Sequence, residues 1–445
     1  MILNKSVFTL KQTKLLKEGG SLFFVSSIGK VLDLLRGTVF LKLFSPADFG
    51  IIDVVNQIIN LSKYADIGLL NNVQREYNFD LVTSPSLAKE RKAKAYGFEL
   101  IITLILFFLL FFTGFYIEKS LEVKVGIIFG GVSFLFTKGL KVIGMDMTLN
   151  KNFKQFAYFS LTLIVVQNVF ILSTVTFIGI YAPLVVKSIA LLLVFAYFYN
   201  RYGIKFNFKL DYLELKRQLK YGLFFSGISI LLGLWVFFER FLITHYFSLV
   251  EVGMYAASLF LLKLGTSVLD EFIKPVTIRV KQSLAKVNIE IIKRYVLYPS
   301  LLFLFLSLPI IYFVEFLINY IETNYLTNFS GIGKVFATLK WLIPIFAVAP
   351  FSGCLLLTKG VDRFIPVYWI TLIRFLLLAL LCYLYPPAEF NTLLVYLVCV
   401  ELLYFYSKQF LIFSKFFNTR LTFLMVSVFL LIQQLLLFNL SLIHI

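Results

Sequence analysis

Leu43-Phe44-Ser45-Pro46-Ala47-Asp48-Phe49-Gly50 has a counterpart in Phe247-Ser248-Leu249-Val250-Glu251-Val252-Gly253. Both contain F-S-x-x-[acid]-[apolar]-G, and each sits between two long apolar runs. The first copy follows the first run and the second follows the seventh, so the chain reads as a six-run unit stated twice. Two halves that start on the same side of a membrane are parallel repeats, related by an axis along the membrane normal. Their interface is the expected substrate site.

The runs themselves fall at 18–42, 47–74, 95–117, 122–149, 154–178, 180–200, 218–244, 250–278, 291–319, 334–358, 363–385, 389–413 and 421–442. Most are close to the ~20 residues needed to cross a hydrocarbon core of about 30 Å. Of the 445 residues 60% are apolar and 15% charged, a balance that leaves too little charge for a soluble surface. The expected fold is therefore an all-α polytopic membrane protein. It has two six-helix bundles, residues 1–205 and 206–413, related by a parallel pseudo-twofold around a central cavity, with one extra C-terminal helix in 414–445.

Net charge is +18. The basic residues gather in alternate loops: four Lys or Arg in 1–17, five in 75–95, six in 200–220 and five in 279–295. Loops 43–46, 245–249 and 386–389 carry none. Cytoplasmic loops of membrane proteins hold this excess, which explains the charge without nucleic acid and places the N-terminus inside. The first run contains Lys30, Asp33 and Arg36 and no small-residue cleavage site, so it reads as a retained helix. Outer loops are short, the longest being about 319–333.

Several enzyme classes are excluded. His245 and His444 are the only histidines, and Cys354, Cys382 and Cys399 lie in apolar runs without ligand spacing. Gly19-Gly20 and Gly130-Gly131 lack the context of a nucleotide loop, and no P-loop pattern occurs. No cofactor or metal is expected.

The informative residues are those that do not belong in lipid, where a charge costs about 2.5–3.5 kcal/mol on insertion scales. The first helix carries Lys30, Asp33 and Arg36. In the second, Asp53, Asn56, Gln57, Asn60 and Lys63 occupy one sector, with Ile51, Ile52, Val55 and Ile59 opposite. The eighth repeats the pattern with Lys263, Asp270 and Lys274, the seventh carries Glu239-Arg240, and the eleventh Arg374. One reading is that acids and bases pair between helices and hold the bundle together. The other is that the first two helices of each half line a hydrated cavity, whose positive surplus suits an anionic, hydroxyl-rich cargo.

Beyond these features, Leu43–Gly50, Asp66-Ile67-Gly68-Leu69 with Arg75-Glu76-Tyr77, and Phe238-Glu239-Arg240-Phe241-Leu242 with Val252-Gly253-Met254-Tyr255 resemble segments of Wzx-type polysaccharide flippases. Glu239 departs from the family's more frequent Asp. The resemblance is sharpest over residues 20–80 and 218–265. It implies the multidrug/oligosaccharidyl-lipid/polysaccharide exporter fold, alternating access in a bacterial plasma membrane, and a polyprenyl-pyrophosphate-linked repeat unit as cargo. It also implies a polysaccharide polymerase and chain-length machinery as partners beside membrane lipids. A drug or metabolite antiporter of the same fold is the alternative, disfavoured by the basic cavity. A membrane polysaccharide polymerase or ligase would need a larger outer loop.

Overall fold

The computed structural model describes residues 24–25, 27–64, 69–70, 73, 77, 81, 84–117, 120–150, 152–209, 212–263, 298–346, 348–349 and 365–414. Side chains are described over these except at 61–64, most of 212–229 and scattered later positions. The segment expected as a thirteenth helix, 414–445, lies outside them apart from its first residue. So do most of the expected run 250–278 beyond residue 263, Asp66–Gly68, and Arg75-Glu76.

The described chain is helical. A first helix, α1, covers residues 24–25 and 27–43, and α2 runs Pro46–Tyr64. Then follow α3 (Pro85–Tyr116), α4 (Leu121–Leu149), α5 (Phe153–Ile178), a π-helical turn at Ala182–Val186, and α6 (Lys187–Tyr202). The second part holds α7 (Tyr212–Tyr246), α8 (residues 249–263), α9 (Tyr298–Tyr325), α10 (Ile332–Leu339), α11 (Ile365–Leu384) and α12 (Phe390–Ser414). Among the described residues, seven helices are long and apolar enough to cross a membrane. Helices α1 and α2 fall outside that set because of the charges they carry, Lys30, Asp33 and Arg36 on one and Asp48, Asp53 and Lys63 on the other.

Two expected boundaries shift. Helix α3 starts at Pro85, ten residues before the apolar run, because Pro85 takes the first turn and its basic turns find acids. Lys94 pairs with Glu90 at 2.9 Å and Lys92 with Asp146 of α4 at 2.7 Å. Helix α9 continues to Tyr325, so Asn319, Glu322 and Asn324, expected in a loop, are helical. The Glu322 carboxylate then accepts the N–H groups of Gly331 (2.6 Å) and Gly333 (2.8 Å). It thereby satisfies donors at the start of α10 that have no partner within that helix.

The chain divides into two compact units, Met1–Phe238 and Glu239–Ile445. In the first, α4 and the span Ala182–Tyr202, the π-helical turn with α6, are central: 56% and 50% of their apolar windows are buried, against 17% for α3 and 17% for α5. Helix α4 is built for close approach on every side. A Cβ at Gly126 or Gly130 would meet Val55 or Ile59 of α2 at 2.7 Å, and one at Gly139 would meet Phe195 of α6 at 2.5 Å. At Gly144 it would meet Phe156 and Phe159 of α5 at 3.1 Å. Lipid offers no hydrophobic drive between helices, so small residues that bring backbones together supply the contact. Gly130 thus has a packing role. On the periphery, Ile105, Phe108, Phe112 and Phe115 of α3 remain more than half exposed, as a lipid-facing surface requires.

Candidate functional site

The repeated motif forms a similar serine–acid cap in both units, differing in which backbone N–H returns to the serine hydroxyl. Ser45 Oγ donates to Asp48 Oδ2 (2.7 Å), the Ser45 N–H donates to the same carboxylate (3.2 Å), and the Asp48 N–H donates back to Ser45 Oγ (3.2 Å). In the second unit the Ser248 N–H donates to Glu251 Oε2 (3.0 Å), the Ser248 hydroxyl donates to the same oxygen, and the Val250 N–H donates to Ser248 Oγ (3.1 Å). These are reciprocal capping boxes, with serine at the N-cap and the acid three residues on. Phe44 and Phe49, and Phe247 and Val252, take the flanking apolar positions of a hydrophobic staple. The motif is a helix-start device, present at α2 and at α8.

Beyond the cap, α2 turns Ile51, Ile52, Val55 and Ile59 into the bundle, as its apolar sector requires. Its polar sector is half-buried: Asp53 accepts from Gln57 Nε2 at 3.1 Å, and Asn56 Oδ1 accepts from Lys187 Nζ of α6 at 3.4 Å. Asn60 is half-buried on the same face. Lys63 belongs to the helix, but its side chain is outside the described residues. On α1, Lys30 is half-buried and Asp33 pairs with Arg36 at 3.0 Å.

In the second unit the charged residues pair closely. Arg240 donates to Glu239 at 2.7 Å and stacks 4.9 Å above the Tyr255 ring, whose hydroxyl donates to Glu239 at 3.0 Å. Arg374 reaches both oxygens of Glu401, at 3.0 and 3.1 Å, and lies 4.1 Å from the Tyr404 ring. These four residues match the pairing reading of intramembrane charge. Lys263 is exposed at the described end of α8, and Asp270 and Lys274 lie outside the described residues.

Sequence reasoning passed over several intramembrane charges. Lys138 of α4 meets Glu99 of α3 at 2.8 Å with both side chains almost wholly buried, and Lys340 meets Glu315 at 2.6 Å. Lys141 and Lys187 line a cavity of about 520 Å³ within the first unit. The signal was available, since each is a lysine inside an apolar run. None of them lies on a helix that carries the capping motif.

Fold and site together define a multi-span α-helical membrane protein. The chain is similar in fold to a multidrug-resistance MATE family transporter of the MOP superfamily in its inward-facing conformation: TM-score 0.64, 14% identity, 90% of this chain and 95% of that one. It is similar also to the MATE multidrug transporter DinF-BH (0.58, 14%, 89% and 95%) and to the lipid II flippase MurJ in an inward closed conformation (0.54, 16%, 95% and 99%). No curated protein matches by sequence. A family model described as "Polysaccharide biosynthesis protein" matches residues 39–325, and the chain belongs to that family.

Proposed function

We propose that this protein is a flippase that carries a polyprenyl-pyrophosphate-linked oligosaccharide from the inner to the outer leaflet of a bacterial plasma membrane. The reading takes residues 1–205 and 206–413 as two six-helix bundles related by a parallel pseudo-twofold. A central cavity between them opens alternately to either side, and the N-terminus is cytoplasmic. The observation that carries it is the half-buried polar face of α2, an amide- and charge-bearing stripe opposite the apolar sector that packs into the bundle. Such groups are costly in lipid and serve a hydrated path for polar cargo. Matching capping boxes at α2 and α8 support the repeat. Family membership and likeness in fold to a lipid II flippase support the cargo class.

Lys30, half-buried on α1, and Lys263, exposed on α8, are the cations proposed to meet the cargo's phosphates. A charge-assisted hydrogen bond contributes about 1.5–3 kcal/mol. The Lys30→Gln/Lys263→Gln double variant should therefore lose export at least tenfold at normal protein level. The decisive test is a deletion strain: lipid-linked repeat units should accumulate on the cytoplasmic leaflet and be cleared by the restored gene. Full clearance by the double variant would refute the cationic contact, and no accumulation in the deletion strain would refute the flippase.

A further inference from the structure

A groove inside the second unit has a wall that neither the capping boxes nor the buried ion pairs account for. It measures about 950 Å³, at the upper end of the roughly 300–1,000 Å³ of ordinary ligand sites, and lies between the starts of α8, α10 and α12. Along α12 it is lined by Asn391, Leu394, Val395, Val398, Cys399 and Leu402, a spacing of three and four that keeps them on one face of the helix. At roughly 1.5 Å per residue this stripe descends about 17 Å. Half of a hydrocarbon core of about 30 Å is about 15 Å, so the stripe has the depth of one leaflet. Met254 of α8 and Trp341, just beyond α10, add to the apolar wall. Val395 and Cys399 are exposed, so no side chain among the described residues covers the stripe.

The rim carries charge of both signs. Glu389 immediately precedes α12, where its backbone oxygen accepts the Thr392 N–H at 3.1 Å, and Lys334 stands on the first turn of α10. Both side chains are exposed, and among the described residues neither has an ion-pair partner. Glu251, whose Oε2 is taken by Ser248, and Asn391 share the rim. Thr338 donates to Asn391 Oδ1 at 2.7 Å, which leaves the Asn391 amide N–H groups as donors. An apolar groove is a poor host for water. A pyrophosphate or an anionic lipid would meet two carboxylates for one lysine, and like charges repel. A head group with both an ammonium and a phosphate satisfies both signs. A primary ammonium also donates up to about three hydrogen bonds to carboxylates, whereas a quaternary one has none to give.

We propose that this groove holds a phospholipid of the phosphatidylethanolamine type, with its ammonium on Glu389 and Glu251, its phosphate on Lys334 and Asn391, and one acyl chain along the α12 stripe. The bound lipid is a resident partner, distinct from any transported cargo, and the site does not depend on the flippase reading.

The test is native mass spectrometry of the delipidated full chain in detergent, titrated with dioleoyl phosphatidylethanolamine, phosphatidylcholine or phosphatidylglycerol. The wild-type chain should bind the ethanolamine lipid about tenfold more tightly than either of the others. Equal binding of all three is the behaviour of a non-selective lipid belt and would overturn the site, and tighter binding of phosphatidylglycerol would overturn the assigned head group. Glu389→Gln should weaken the ethanolamine lipid about ten- to hundredfold and leave phosphatidylcholine unchanged. Lys334→Gln should weaken both together, because both carry the phosphate. Lys154→Gln, exposed at the start of α5 in the first unit, should change nothing. Ethanolamine-lipid binding within twofold of wild type by Glu389→Gln would refute the rim contact. For the acyl chain, Val398→Trp should fill the groove and weaken the ethanolamine lipid about tenfold. Where that variant fails to fold, N-ethylmaleimide on Cys399 in a Cys354→Ala/Cys382→Ala background takes its place. A phosphatidylethanolamine with a photoreactive acyl chain should cross-link to peptides within residues 391–402, and cross-links only elsewhere would place the lipid outside the groove and overturn the proposal.

Discussion

Arg374 is the residue at which the two readings of intramembrane charge part most sharply. Its guanidinium is buried, held by both oxygens of Glu401 and faced by the Tyr404 ring. Removing one partner of a buried pair strands the other charge, at a cost of about 3–5 kcal/mol, whereas removing both is often close to neutral. Glu401→Gln should therefore lower the melting temperature in detergent strongly, and Arg374→Met/Glu401→Leu should restore most of it. If the restored double variant also exports normally, the pair is structural glue. A well-folded double variant without export would instead make Arg374 a cargo ligand. Lys138 and Glu99 invite the same cycle, both side chains being almost wholly buried.

At the level of elements, the capping boxes and the glycines of α4 give separable expectations. Loss of an N-cap serine typically costs about 1 kcal/mol, so Ser45→Ala and Ser248→Ala should destabilise to similar small extents. Thermal unfolding in detergent would check this, and a large difference between the two would mean the copies do different jobs. Gly97 should be far less tolerant. A Cβ there would fall 2.3 Å from the backbone oxygen of Asn207, and backbone cannot step aside as a side-chain tip can. The segment after α6 is fixed to α3 at this point, with the Asn207 N–H donating to Ala93 O at 2.9 Å. Gly97→Ala should detach it, raising proteolysis within residues 203–209. Gly126→Ala should cost less, since Val55 and Leu184 side chains can yield.

For the whole molecule, the expectations are topological and mechanical. Asn324 at the end of α9 and Ser86 at the start of α3 are both exposed, so single cysteines at either would be reachable by a polar reagent. An impermeant maleimide applied to intact cells should label Asn324→Cys and spare Ser86→Cys, and the opposite result would invert the proposed topology. Alternating access by rocking halves requires the outer ends of α2 and α8 to separate and reclose. Oxidation of an Ala47→Cys/Val250→Cys double variant should then arrest export until reductant is added. Unchanged export with a quantitatively formed bridge would rule out motion at those corners.

Much of this was legible in the chain because lipid imposes a severe rule. Every spanning backbone must satisfy its own hydrogen bonds, so long apolar runs become helices and their number and order can be counted. The α4 and α5 boundaries agree with the runs to within a residue, and the buried sector of α2 follows from a spacing of about 100° per residue. Helix ends were less legible where polar groups found distant partners, as Lys92 did in Asp146 and the start of α10 did in Glu322. The choice of ion partners also belongs to the tertiary structure. Composition showed a surplus of cations, yet only packing decided that Arg374 meets Glu401, that Lys138 meets Glu99, and that Lys141 and Lys187 line one cavity. Periodicity assigns a side chain to a face of its own helix. Which neighbour that face meets depends on crossings set by contacts such as Gly130 on Ile59, between residues more than seventy positions apart in sequence.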